Sequence, residues 1–98
     1  MKVQELKEKI DAQEHLELLD VREREEIEEG GSGVPGAKNM PMGQVFVEAA
    51  KGRLPKDQKI VTICAKGGRC EIVARELKKE GYDIEYLEGG LEEWHKNS

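Results

Sequence analysis

The chain has 98 residues, 38% of them charged, and a formal net charge of -5. That length fits one compact domain, residues 1–98, and is too short for two. Both signs of charge are interspersed, which argues for solvated helix faces and against a nucleic-acid partner. No window approaches the roughly 18 to 20 apolar residues of a membrane span, and the N-terminal stretch lacks the apolar run of a secretory signal. A soluble, cytoplasmic protein with no membrane partner is the expectation.

In chain order, Val3, Leu6 and Ile10 recur at helical spacing, predicting a short amphipathic helix over residues 2–12. LELLDV, residues 16–21, reads as a buried strand, and REREEIEEG as a short surface helix stopping at Gly30. Residues 30–37, GGSGVPGA, hold the densest turn signal and predict a loop that is mobile in its first half. Lys38 to Met40 form a very short strand, and residues 43–52 a helix turning Val45, Phe46 and Val47 partly inward. KIVTIC, residues 59–64, is β-branched and too short for a helix, so it predicts a strand. A helix follows over residues 69–81, then a strand over 84–87 and a closing helix over 91–96.

Strands alternating with helices predict an α/β layer fold with a mainly parallel sheet. Ligands in such sheets sit at the carboxyl ends of the strands, and residues 64–70, CAKGGRC, lie at such an end. Backbone N–H groups and the positive end of the helix dipole converge on a strand-to-helix loop of this kind. Gly67 and Gly68 let the loop curl without side chains in the way, while Lys66 and Arg69 add positive charge. A cysteine in such a cradle ionises below the usual thiol value of about 8.5. Cys64 is therefore the expected nucleophile.

The spacing of Cys64 and Cys70, C-x5-C, does not suit a common zinc site, and His15 and His95 lie near opposite ends of the chain, so no metal site is expected. Cys70 falls with Val73, Ala74 and Leu77 on the inward stripe of its helix, which reads as packed core. A rival reading, in which Cys70 resolves a Cys64 persulfide or sulfenate as a disulfide, needs Cα atoms within about 7 Å. A Cys70 turned away from Cys64 would exclude it.

CAKGGR resembles the active-site loop of rhodanese-like sulfurtransferases. LLDVRE (18–23), VPGAKNMP (34–41) and LEGGLEEW (87–94) resemble three further signatures of that family, in the same order. The resemblance implies a three-layer fold, a mainly parallel central sheet of about five strands with helices on both faces. It also implies that Cys64 takes a sulfane sulfur from a small anionic donor such as thiosulfate, becomes a persulfide and passes the sulfur to a thiol or other nucleophile. Ala65, Lys66, Gly67, Gly68 and Arg69 would bind the donor and the persulfide, and Asp20 and Arg22 would buttress the loop from the side. No metal or organic cofactor is implied. A persulfide-carrying protein is an alternative donor, and a non-catalytic rhodanese-like binding or redox-sensing module is the alternative function.

Related phosphatases separate cysteine from arginine by five residues, whereas four, Ala65 to Gly68, lie between Cys64 and Arg69. The shorter loop favours sulfur over phosphate. Three positions depart from the family pattern: Gly33 stands where a histidine is common, Ala65 where a larger residue is common, and Cys70 where serine is common.

Overall fold

The computed structural model describes residues 1–30 and 33–97. Gly31 and Ser32, within the first half of the 30–37 loop where mobility is expected, lie outside the described residues. The elements in order are α1 (Val3–Asp11), β1 (Leu16–Asp20), α2 (Arg24–Gly30), β2 (Lys38–Asn39), α3 (Met42–Ala50), β3 (Lys59–Ile63), α4 (Gly68–Lys78), β4 (Ile84–Tyr86) and α5 (Gly90–Lys96). Every expected element is present, with no end displaced by more than three residues.

The four strands lie in the order β2-β1-β3-β4, and all three pairings are parallel. Among the described residues there are four strands, where the family resemblance implied about five. The N-terminus accounts for part of the difference. Met1 runs along the free edge of β4, its amino group donating to the Tyr86 carbonyl at 2.8 Å and its own carbonyl accepting from Glu88 N–H at 2.9 Å. The chain turns into α1 at Val3, too soon for a strand to develop.

β3 is central, and its residues from Ile60 to Ile63 are all buried, as a parallel strand covered on both faces requires. Its side chains alternate between two cores. On one face Ile60 and Cys64 pack with Leu19, Val21 and Val45 and with Cys70, Val73, Ala74 and Leu77 of α4. On the other, Val61 and Ile63 pack with Leu18, with Val3 and Leu6 of α1, and with Leu91 of α5. The sheet is thus the middle of three layers. Burying each aliphatic side chain contributes about 1.5–3 kcal/mol, so both faces need their helices. Among the described residues, no helix is long and apolar enough to cross a membrane.

One expected core residue lies outside. Val45 is fully buried on α3, but Val47 is 48% exposed. Two residues along a helix correspond to about 200° of rotation, so a helix that buries Val45 must turn Val47 outward.

The register positions the site. Asp20 pairs with Ile63 at the carboxyl ends of the two central strands. Val21 and Arg22 leave the sheet beside Cys64 as a result, and Val21 N–H donates to the Ile63 carbonyl at 2.8 Å.

Candidate active site

Cys64 follows the last residue of β3, and α4 begins at Gly68, so three residues reverse the chain above its sulfur. Gly67, the residue before the helix, sits at φ +102°, a left-handed conformation that residues with a Cβ rarely adopt. That turn points backbone N–H groups inward. Gly67 N–H donates to Cys64 Sγ at 3.1 Å and Cys70 N–H at 3.4 Å.

The loop is held from outside by α5. Leu91 N–H donates to the Cys64 carbonyl at 2.8 Å and Glu92 N–H to the Ala65 carbonyl at 3.0 Å. These bonds require close backbone approach, which Gly89 and Gly90 permit. A Cβ at Gly90 would stand 2.5 Å from the Cys64 carbonyl oxygen, and one at Gly67 would stand 3.2 Å from the Gly89 nitrogen. The GG pair in LEGGLEEW thus brings α5 against the cysteine loop.

Cys64 is 1% exposed. Burial alone would raise its pKa, but the hydrogen bonds prevail: Cys70's thiol first, then the N–H groups of Cys70, Gly67 and Lys66, lower it from the usual thiol range to about 5. Cys64 is then a thiolate at neutral pH. Cys70 is fully buried, as the helical stripe predicts, yet its sulfur faces the loop. Its Sγ lies 3.1 Å from Cys64 Sγ and 3.4 Å from the Gly67 carbonyl oxygen. The neighbouring thiolate, to which it hydrogen-bonds, and burial together push the Cys70 thiol upward, so it stays protonated and donates. Both cysteines are free.

Asp20 and Arg22 form a buried fork beside the loop. Arg22 Nη2 donates to Asp20 Oδ2 at 2.8 Å, Arg22 Nε to Asp20 Oδ1 at 3.0 Å, and the Arg22 backbone N–H to Oδ1 at 3.1 Å. Asn39 Nδ2 bridges the Asp20 and Arg22 carbonyls at 3.0 and 2.9 Å. Gly33 has a physical reason here: a Cβ on it would stand 2.8 Å from Asp20 Oδ2.

Ala65 and Lys66 line a groove of about 440 Å³ whose walls include Arg22, Glu26, Glu29, Glu92 and His95. Lys66 is exposed and makes no ion pair with a described residue. Arg69, expected to face the donor, is engaged elsewhere. Its Nη1 and Nη2 donate to Glu26 Oε1 and Oε2 at 2.5 and 2.7 Å, a two-pronged pair. Glu26 Oε1 also accepts the Glu23 N–H that opens α2, at 2.9 Å. Arg69 and then this backbone N–H hold the Glu26 carboxyl at about 2. Sequence reasoning missed Glu26, because Glu23, Glu25, Glu28 and Glu29 surround it and nothing local marks it out. Asn39 and Gly90 lie within the VPGAKNMP and LEGGLEEW signatures but were not singled out as site residues.

Comparison with known proteins agrees with this architecture. The family profile described as "Rhodanese-like domain" matches residues 2–97. The chain is 40% identical over 89 residues to "Putative sulfurtransferase YtwF" of Bacillus subtilis, covering 91% of this chain and 82% of that protein. It is 37% identical over 89 residues to "Putative sulfur carrier protein YrkF" of the same organism, covering 90% of this chain but only 46% of that protein. Among solved structures, a rhodanese-related protein from Thermoplasma volcanium superposes with a TM-score of 0.83 at 30% identity, covering 100% of this chain and 91% of that one. A thiosulfate sulfurtransferase from Pseudomonas aeruginosa shares the fold, with a TM-score of 0.85 at 20% identity, over 99% of this chain and 18% of that one. With the profile spanning nearly all of it and the parallel sheet delivering a cysteine loop at its carboxyl edge, the chain belongs to the rhodanese-like domain family, within the sulfurtransferase superfamily.

Proposed function

We propose that the chain is a sulfurtransferase in which Cys64 carries the sulfur as a persulfide. The observation that supports this best is the environment of one atom: Cys64 Sγ receives N–H groups from Gly67 and Cys70 within 3.1–3.4 Å and lies against a thiol donor. The thiolate attacks the sulfane sulfur of thiosulfate, or of a persulfide or polysulfide, and the remainder of the donor departs as sulfite or a thiolate. Covalent capture divides one difficult transfer into two easier ones. The N–H groups of Lys66, Gly67 and Cys70 stabilise the anion formed, since they are oriented toward the sulfur before the reaction begins. A thiol or other nucleophile then takes the outer sulfur and regenerates the thiolate.

Asp20 and Arg22 support the loop without touching the reacting atoms. Lys66 steers an anionic donor toward the groove, with Arg69 contributing less charge because Glu26 shares it. A cytoplasmic site of action suits two buried free thiols so close together, since a reducing compartment preserves them.

The test is to incubate reduced protein with thiosulfate, and separately with inorganic polysulfide, and to weigh it intact. Transient or lasting gain of one sulfur, about 32 Da, that disappears in Cys64→Ser is the expected result. No gain from either donor in any form of the protein would leave a binding or redox-sensing module as the better reading.

A further inference from the structure

The pairing of Cys70 with Cys64 goes beyond what sulfur carriage requires. Cys70 Sγ sits 3.1 Å from Cys64 Sγ, and bonded sulfurs lie about 2.05 Å apart, so the two need approach by only about 1 Å. Between them run Gly67 and Gly68, the residues best able to absorb a small change in backbone angle. Cys70 is otherwise shut in, fully buried, with the Gly67 carbonyl oxygen at 3.4 Å and the Leu87 carbonyl oxygen at 3.8 Å as its other polar neighbours. The sulfur it can reach is that of Cys64.

We propose that Cys70 is a second catalytic residue that resolves the Cys64 persulfide, expelling the carried sulfur as hydrosulfide and leaving a Cys64–Cys70 disulfide. The inference rests on the sulfurtransferase reading above. In the step, the Cys70 S–H bond breaks and its proton goes to the outer sulfur. The bond between Cys64 Sγ and that outer sulfur breaks, and a bond between Cys64 Sγ and Cys70 Sγ forms. The outer sulfur, at the sulfane level, is reduced by two electrons, and each cysteine sulfur is oxidised by one. One persulfide anion and one thiol give one disulfide and one hydrosulfide, so no external oxidant is required.

The proton inventory fits. While Cys64 is a free thiolate, Cys70 remains a thiol and donates to it, so the pair is stable in the reduced state. Once Cys64 carries a sulfur, the negative charge moves outward to that sulfur, and Cys70 faces an electrophilic Sγ within a disulfide-like bond. A packed alanine or serine at this position would complete the core but could not make the step. The consequence is an exit for sulfur that needs no acceptor in the groove, and a resting disulfide that blocks further loading until a dithiol reductant reopens it.

The experiment uses the full chain, reduced and freed of reductant under anaerobic conditions. Thiosulfate or inorganic polysulfide is added, and intact mass and released sulfide are followed together for wild type, Cys70→Ser and Cys64→Ser, with Cys70→Ala as the alternative should the serine variant fail to fold. Wild type is expected to pass through a gain of about 32 Da, settle about 2 Da below the reduced mass and release one equivalent of sulfide. Cys70→Ser, or Cys70→Ala, should hold the 32 Da gain and release none. A wild type that keeps its extra sulfur, on either cysteine, without sulfide release overturns the resolving role and leaves the sulfurtransferase reading intact. If no variant gains sulfur and wild type never falls in mass, both readings are overturned.

Discussion

Gly90 abuts Cys64 so closely that a Cβ on Gly90 would stand 2.5 Å from the Cys64 carbonyl oxygen. The contact places the start of α5 against the cysteine loop, and with φ at +61° the position disfavours a side chain on two independent grounds. Gly90→Ala should cost about 1–3 kcal/mol of stability, read as a lower urea midpoint, and displace the loop enough to slow sulfur loading at least tenfold. Unchanged loading with unchanged stability would show that the contact does not hold the loop.

Nucleophilicity should follow the Cys64 thiolate. With its pKa at about 5, the loading rate is flat at neutral and mildly alkaline pH and falls about tenfold per unit below that value. The stability it contributes has the matching sign: the folded pKa is lowered, so the contribution is complete above the unfolded thiol value of about 8.5 and is lost as pH falls through about 5. Cys70→Ala removes the first donor to that thiolate, so the acid limb of the profile should move upward. Thiolate ultraviolet absorbance gives the same titration without a substrate. A limb that stays in place in the alanine variant would assign the lowered pKa to the backbone N–H groups alone.

Glu26 tempers the charge of Arg69, the arginine that opens α4. In Glu26→Gln the groove gains one unit of positive charge and Arg69 is released from its two-pronged partner. At low ionic strength kcat/KM for thiosulfate should rise by roughly 2- to 5-fold, and the advantage should shrink as salt is added. Stability should fall by under about 1 kcal/mol, because both side chains are more than a third exposed. A drop in thiosulfate use would mean instead that the pair is needed to position Arg69.

The Asp20–Arg22 pair is of the opposite kind, with side chains 6% and 5% exposed. Asp20→Ala leaves a guanidinium buried without its partner and should cost about 3–5 kcal/mol, measured by chemical denaturation. Replacing both residues with apolar ones of similar size should cost much less. Comparable losses from the single and double changes would indicate that packing, and not the unpaired charge, sets the penalty.

The parts of the fold that local pattern controls were legible. KIVTI is β-branched and continuously apolar, and the inward spacing of Val73, Ala74 and Leu77 marks a helix, so β3 and α4 follow from short windows of sequence. Val47 was placed inward because its apolar character was read without the phase of its helix, which Val45 sets. The family resemblance implied about five strands where the described residues form four, since Met1 adds hydrogen bonds to the sheet edge without forming a strand.

For the site, residue types and spacing determined that a cysteine stands at the end of a strand, that glycines follow it, and that a helix begins where backbone N–H groups converge on it. These are near neighbours in the chain, and the geometry between them is nearly local. What only the tertiary structure decided are relations between distant segments: Glu26 on Arg69, forty-three residues apart, α5 closing on the loop through Gly90, and the turn of Cys70's sulfur toward Cys64 inside a core that its helical stripe already required. The physical reason is that charge, exposure and helical phase confine a side chain to a face, whereas its partner is chosen by how the sheet and its covering helices pack in three dimensions.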